Sequence, residues 1–166
     1  MPEFENKIIV PDKLLITGAN GFIGRALCDS LKAQGTPFHA AIRAGAPLPG
    51  INTFIVGDIG PETDWSAALV GCDTVIHLAA RAHVMRESAS DPRAEFRRIN
   101  VQGALALAKQ AADAGVKRFV FISSIGVNGN HNTQPFTEND CPAPSGYYAN
   151  SKWEAEQALR RLTLET

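Results

Sequence analysis

Short apolar runs alternate with helical periodicity along nearly the whole chain, and that alternation leaves few folds open. Lys13-Leu-Leu-Ile-Thr17 is a brief apolar run that stops at glycine, as a buried parallel strand does. Phe22 to Gln34 follows, with Ile23, Ala26, Leu27 and Leu31 at helical spacing and Gly35 at the place of a C-cap glycine. The pattern continues with strands over Phe38 to Ile42, Thr53 to Val56, Thr74 to Leu78 and Arg118 to Ser123. Helices are expected over Asp64 to Val70, from Asp91-Pro92 to about Ala114, and over Gly146 to Leu164. Asp91 and Pro92 read as an N-cap and a first-position proline. Gly45 to Gly50 reads as a Pro/Gly loop, and Asn128 to Ser145, with Pro135, Pro142 and Pro144, as a longer polar one.

Strands separated by helices need crossover connections, which give a parallel sheet with both faces covered. The expected fold is therefore α/β: a Rossmann-type doubly wound parallel sheet in three layers, α/β/α. A length of 166 residues suits one domain. Ligands of such sheets bind outside the carboxyl ends of the strands. That rule directs attention to Gly18–Gly24, Arg43, Asp58, the loop after Leu78, and Ser123-Ser124.

Composition removes several alternatives. The chain has 16 Lys plus Arg against 17 Asp plus Glu, a formal net charge of −1, and no basic run. It lacks the electrostatic footprint of a nucleic-acid binder. No stretch approaches the ~20 apolar residues that span a bilayer, and Met1 to Val10 has no basic segment followed by an apolar one, so no signal peptide is read. Cys28, Cys72 and Cys141 fit neither a disulfide framework nor a zinc pattern, and the four histidines are dispersed. These features predict a cytoplasmic protein with reduced thiols, no metal, and no membrane or nucleic-acid partner.

Thr17-Gly18-Ala19-Asn20-Gly21-Phe22-Ile23-Gly24 joins the first strand to the first helix. Gly18 permits a sharp turn, Gly21 a close backbone approach to a pyrophosphate, and Gly24 tight helix–strand packing. The unpaired N–H groups at the helix start, Asn20 to Ile23 among them, offer partial positive charge to phosphates. An acidic residue some 20 positions on usually holds the ribose 2′-hydroxyl of NAD. Here Ile42-Arg43-Ala44 stands there instead. Arginine can accept a 2′-phosphate, so NADP(H) is favoured over NAD(H); a solvated arginine beside an NAD site is the other reading. Asp58, with Ile59 after it, follows the third strand and can accept a hydrogen bond from an adenine amino group, or serve only as a turn aspartate.

Tyr148-Ala-Asn-Ser-Lys152 places a phenol and an ammonium at i and i+4 on one helix face. Hydride exchange between a carbinol and a nicotinamide needs a group that moves the hydroxyl proton. A phenol is a poor base at neutral pH. A cation beside it favours the phenolate, so Lys152 suits Tyr148 as a partner and can also bond the nicotinamide ribose. Ser124, at the end of the preceding strand, would hold the substrate oxygen.

Taken together, Thr17 to Gly24, Gly57-Asp58, His77-Leu-Ala-Ala80, Asn100-Val-Gln-Gly103, Phe121-Ile-Ser-Ser124 with Val127-Asn-Gly129, and Tyr148-x-x-x-Lys152 resemble the extended short-chain dehydrogenase/reductase family. Within it the likeness is to the NAD-dependent epimerase/dehydratase group, and best to members that epimerise or reduce nucleotide-activated sugars. The resemblance implies Tyr148 as acid/base, Lys152 as its partner and Ser124 on the reacting oxygen. It implies that Leu78, Ala79 and Ala80 line the cofactor and that Asn100 supports the active-site strands. It implies a nucleotide-sugar substrate, and a homodimer through helices 91–114 and 146–164. Ile125-Gly126 stands where 4,6-dehydratases carry an Asp-Glu pair, which disfavours dehydration. Family members continue past the Tyr/Lys helix into a substrate lobe, so residues 1–166 are expected to be the dinucleotide-binding domain of a longer two-lobed chain. A non-catalytic NAD(P)-binding or regulatory module is the other reading. His83, Met85, Arg86 and Ser88 follow the fourth strand as substrate contacts or as a solvated loop.

Overall fold

A computed structural model describes residues 13–82 and 89–165 of the chain. The N-terminal segment and His83, Met85, Arg86 and Ser88 lie outside the described residues. Strands β1 (Leu14–Thr17), β2 (Phe38–Ile42), β3 (Asn52–Ile55), β4 (Thr74–His77) and β5 (Arg118–Phe121) form one parallel sheet in the order β3-β2-β1-β4-β5. The chain thus starts in the middle, winds outward through β2 and β3, then crosses back to β4 and β5. This is the expected doubly wound arrangement, and its switch point falls between β1 and β4.

All four residues of β1 are buried. Leu15 and Ile16 are each 0% exposed and point to opposite faces. Leu15 packs with Trp65, Leu69, Val75 and Leu107, and Ile16 with Cys28, Ala40 and Ile42. Helix α1 (Phe22–Ala33) therefore covers one face, while α2 (Ser66–Leu69) and α4 (Ala104–Asp113) cover the other. Helix α5 (Gly146–Glu165) lies against α4 and the segment before it. Gln110 of α4 accepts from Trp65 N at 2.8 Å and donates to Thr63 O at 2.8 Å, which clamps the loop after β3 onto this layer.

Two features depart from the periodicity. First, the expected single helix from Pro92 is three segments: α3 (Pro92–Arg97), a π-helical turn (Arg98–Gly103) and α4. The wider turn serves two neighbours at once. Arg98 pairs with Glu95 at 2.8 Å and Gly103 sits so tightly on the loop after β3 that a Cβ there would meet Ile59 Cγ2 at 2.6 Å. Asn100 of the same turn faces the chain leaving β4 instead, bonding Arg81. Second, the expected Pro/Gly loop interrupts the strand–helix alternation: Arg43 to Ile51 joins β2 to β3 with no helix, although parallel neighbours normally need a longer crossover. Leu48 and Ile51 fold back onto the α1-side core, and Thr53 Oγ1 bonds both Leu48 N and Ile51 O at 3.0 Å. Smaller differences are at element ends: α2 is shorter than Asp64 to Val70, β3 runs one residue earlier, and β5 ends at Phe121.

Thr17 and His77 are paired in register at the carboxyl ends of β1 and β4. His77 Nδ1 lies 2.7 Å from Thr17 Oγ1, which also accepts from Ala79 N at 3.2 Å. Burial, with Lys152 as the second cause, holds the His77 imidazole neutral, its pKa lowered from 6.5 to about 3.

Two outcomes are expected. Gly24→Ala drives a Cβ to 2.2 Å from Gly18 O, whereas Gly35→Ala meets nothing within 4 Å and strains only a φ of +67°. Urea denaturation should show a loss of about 3 kcal/mol for Gly24→Ala and about 1 kcal/mol for Gly35→Ala; equal losses would contradict this packing. His77 binds no proton in the fold but does so unfolded below pH 6.5, so stability falls as pH drops from about 6.5 toward 3. The slope contributed is about 1.4 kcal/mol per pH unit. His77→Asn should flatten the stability–pH curve in that window relative to the wild type.

Candidate active site

The glycine turn is built by contact with β4. Gly18 has φ +65°, and a Cβ on it would meet Ala79 N at 2.9 Å. Gly24 presses on Gly18 O and Ala19, so α1 starts directly under the turn and aims its free N–H groups across the strand ends. In front of it a groove of about 390 Å³ runs over the carboxyl ends of β1, β2, β3 and β4. Its lining brings together Gly18, Asn20, Gly21, Arg43, Asp58, Ile59, Leu78, Ala79 and Ala80. Its volume is in the range of small-molecule and cofactor sites. A groove with a glycine floor, a helix N-terminus at its middle and polar side chains at one end fits an extended dinucleotide.

At that end Arg43 Nη1 and Asp58 Oδ1 are 3.9 Å apart, with side chains 78% and 71% exposed. An exposed pair of this length is worth little, so Arg43 remains available to an anionic ligand. Asn20 Nδ2 reaches Ala44 O at 3.4 Å and Arg25 Nε donates to Asn20 O at 2.9 Å, which steadies this edge.

The residues expected to form the acid–base set stand beyond the other end. Ser124 follows β5 and caps a 3-10 turn (Ile125–Val127), accepting from Gly126 N at 3.2 Å. That turn packs on α5: a Cβ on Gly126 would lie 3.5 Å from Ala149 Cβ, next to Tyr148. Tyr148 is half-buried, its ring edge-on to Phe96 at 6.5 Å. Lys152, one turn on, is 2% exposed, and its Nζ sits 3.8 Å from the centre of the Phe121 ring. Burial lowers its pKa to about 8, against the opposite pull of Glu156. The Glu156 carboxylate accepts from Ser123 Oγ and so ties α5 to the end of β5.

Other expected residues fall elsewhere. Phe22 and Ile23, 97% and 57% exposed, stand at the start of α1 and do not line the groove. Gly24 is a packing residue beneath it. Asn100 is 2% exposed and does not line the groove either. Its Oδ1 accepts from Arg81 N at 2.8 Å and its Nδ2 donates to Arg81 O and to Ser151 Oγ, at 3.0 and 2.9 Å. Ser151 in turn donates to Tyr148 O at 2.7 Å. Sequence reasoning missed Thr17, Trp65, Arg81 and Ile99 of the groove, and Phe121 and Glu156 around Lys152. Glu156 had a signal, since it lies four residues past Lys152 on the same face. Phe121 opens the Phe121-Ile-Ser-Ser124 run of the family resemblance, but nothing there pointed to Lys152.

Comparison with known proteins agrees with this geometry. Residues 14–166 match the NAD dependent epimerase/dehydratase family. The chain is 41% identical over 160 residues to a UDP-glucose 4-epimerase of Vibrio cholerae, covering 95% of this chain and 49% of that protein. It is 33% identical to N-acetyl-alpha-D-glucosaminyl-diphospho-ditrans,octacis-undecaprenol 4-epimerase of Escherichia coli O157:H7, covering 90% of this chain and 43% of that one. Among solved structures, Thermus thermophilus UDP-glucose 4-epimerase in complex with NAD superposes with a TM-score of 0.79 at 27% identity, covering 92% of this chain and 51% of that chain. MoeE5 in complex with UDP-glucuronic acid and NAD superposes with a TM-score of 0.77 at 33% identity, covering 89% and 48%. The chain spans about half the length of the curated relatives it matches. Among the described residues no helix is long and apolar enough to cross a membrane. On its glycine turn, strand order and family match, the chain belongs to the NAD-dependent epimerase/dehydratase family, a group of extended short-chain dehydrogenases/reductases.

Proposed function

We propose that this chain is the dinucleotide-binding and acid–base domain of a longer, two-lobed oxidoreductase or epimerase acting on a nucleotide-activated sugar. The observation that carries the reading is Lys152: an ammonium 2% exposed, on the same α5 face as Tyr148, at the carboxyl end of the strand that delivers Ser124. Burying a charged side chain is costly, and a pure binding module gains nothing from it. The likeness to proteins named for UDP-sugar epimerisation supports the substrate class.

Gly18, Asn20, Gly21 and the N-terminus of α1 would hold the pyrophosphate, Leu78 to Ala80 the middle of the dinucleotide, and Asp58 with Ile59 the adenine. When bound, the nicotinamide supplies or accepts the hydride. The Ser124 hydroxyl orients the sugar oxygen, and Tyr148 takes the proton from that oxygen or returns it. Lys152 stabilises the phenolate, which is the form of Tyr148 that takes the proton and the form left when the proton is returned. Ile125, 66% exposed after Ser124, offers no acid for removing water, so the reading is reduction or epimerisation and not 4,6-dehydration. Arg43 would take a 2′-phosphate, favouring NADP(H), because its contact with Asp58 is weak enough to exchange. Helices α3 to α4 and α5 lie side by side and are the surface through which two copies would associate.

In the full-length protein, Tyr148→Phe should lower kcat/KM on UDP- or dTDP-sugars by about 10³-fold and leave dinucleotide affinity unchanged. Unimpaired turnover in that variant contradicts the role of Tyr148. No turnover by the full-length wild type with any such sugar favours the non-catalytic module. Thermal-shift titration should show NADPH binding about tenfold more tightly than NADH, with the preference lost in Arg43→Ala. Tighter binding of NADH overturns the reading of Arg43.

A further inference from the structure

A buried ammonium needs partners, and those of Lys152 are unusual. Among the described residues no hydrogen bond reaches its Nζ; its contact is the face of Phe121, at 3.8 Å. Glu156, one turn further along α5, is the carboxylate that acts on it. That carboxylate is already engaged, with one oxygen accepting from Ser123 Oγ and the other 3.9 Å from Arg160 Nη2. Across the sheet, His77 of β4 stays neutral beside the Lys152 charge and supplies no countercharge. Tyr148, one turn back on α5, is the remaining titratable group on this face.

The Phe121 ring is held firmly. It pairs in register with His77 on β4, and the two rings stack at 6.0 Å and 23°. A cation over an aromatic face is attracted by the ring quadrupole, most strongly where water is excluded. We propose that Phe121 is a positioning residue for the acid–base pair: its ring carries the Lys152 ammonium between β5 and α5 and leaves the ammonium's N–H donors free. This rests on the reading of Lys152 as the partner of Tyr148. A carboxylate in the place of Phe121 would bind those donors directly and compete with the phenolate and the ribose for them. The ring face has no lone pair and no charge of its own, so the ammonium keeps its charge and the N–H donors turned away from the ring.

The test follows the titration of Lys152 itself, with no substrate present. In protein carrying 13C-lysine, the Lys152 side-chain resonance is assigned by its loss in Lys152→Met. Its midpoint in the wild type is expected near the value set by burial, about 8. Phe121→Leu removes the quadrupole and should lower the midpoint by about one pH unit. Phe121→Tyr keeps the face and should restore it. Should Phe121→Leu fail to fold, pentafluorophenylalanine at 121 keeps the shape while reversing the quadrupole, and should lower the midpoint in the same direction. An unchanged midpoint in a folded Phe121→Leu or pentafluoro variant overturns the proposal, as does a fall in Phe121→Tyr equal to that in Phe121→Leu. Normal turnover in Tyr148→Phe would instead remove the catalytic reading and leave this titration result standing, so the two failures are distinguishable.

Discussion

The contact between the glycine turn and the end of β4 is the constraint on which the rest of the molecule depends. Gly18 has no room for a Cβ because Ala79 N would be 2.9 Å away, and Gly24 has none because Gly18 O would be 2.2 Å away. Three backbone segments, from β1, α1 and β4, therefore meet with no side chain between them. Thr17 and His77 close the same joint from below, bonded to each other, and Thr17 Oγ1 also accepts from Ala79 N. One consequence is geometric: the α1 N-terminus is fixed in height against the strand ends, so the groove floor needs no side chain to shape it. The other is electrostatic: the unpaired N–H groups of α1 sit where charge of the opposite sign is favoured.

From this joint, a chain of hydrogen bonds runs to the α5 face that bears Tyr148 and Lys152. The chain leaving β4 bonds Asn100 through both its N–H and its C=O at Arg81, Asn100 bonds Ser151, and Ser151 bonds the carbonyl of Tyr148. Asn100 and Ser151 are 2% and 1% exposed, so each bond is made away from water. Breaking one leaves a buried donor or acceptor unpaired, which costs about 1–3 kcal/mol. Apolar contacts tolerate sliding; a buried amide with its N–H and C=O groups all engaged does not. The π-helical turn is what lets Asn100 face Arg81 while Arg98 and Gly103 keep the opposite face against the loop after β3. The groove-lining loop after β3, the chain leaving β4 and the helix bearing Tyr148 are in this way set by one short segment.

Much of this architecture was legible in the sequence, for identifiable reasons. The alternation of apolar runs and helical stretches dictated the sheet, because β1 must be buried on both faces to use Leu15 and Ile16. Gly35 ended its helix where expected, with positive φ, and Gly71 and Gly115 take positive φ directly after the two helices expected to end at Val70 and about Ala114. Gly18, Arg43, Asp58 and Leu78 to Ala80 could be placed on one groove because a parallel sheet brings strand ends to one edge. The π-turn was not legible: Arg98 to Gly103 continues helical spacing, and the extra residue per turn is selected by neighbours distant in sequence. Asn100 and Gly24 were read as supporting and packing residues, and both face the protein itself: Asn100 bonds the Arg81 backbone and Ser151 Oγ, and Gly24 presses on the backbone of Gly18 and Ala19. Local pattern identifies which edge of the sheet matters. Which residues touch the groove and which hold those that do depends on packing across layers.

Two basic side chains, His77 and Lys152, occupy the interior behind this edge, flanking Phe121. Both lose affinity for protons through burial, and the Lys152 charge lowers that of His77 further. Of these two side chains only Lys152 therefore keeps a positive charge near neutral pH, and it is the one on the helix that bears Tyr148. His77 takes the uncharged role, bonding Thr17 at the joint of β1 and β4. Like charges in a poorly solvated space separate in their titration, as two carboxylates sharing a site do. Here the separation divides labour. The group at the structural joint stays neutral and holds the strands, and the group on α5 keeps its charge.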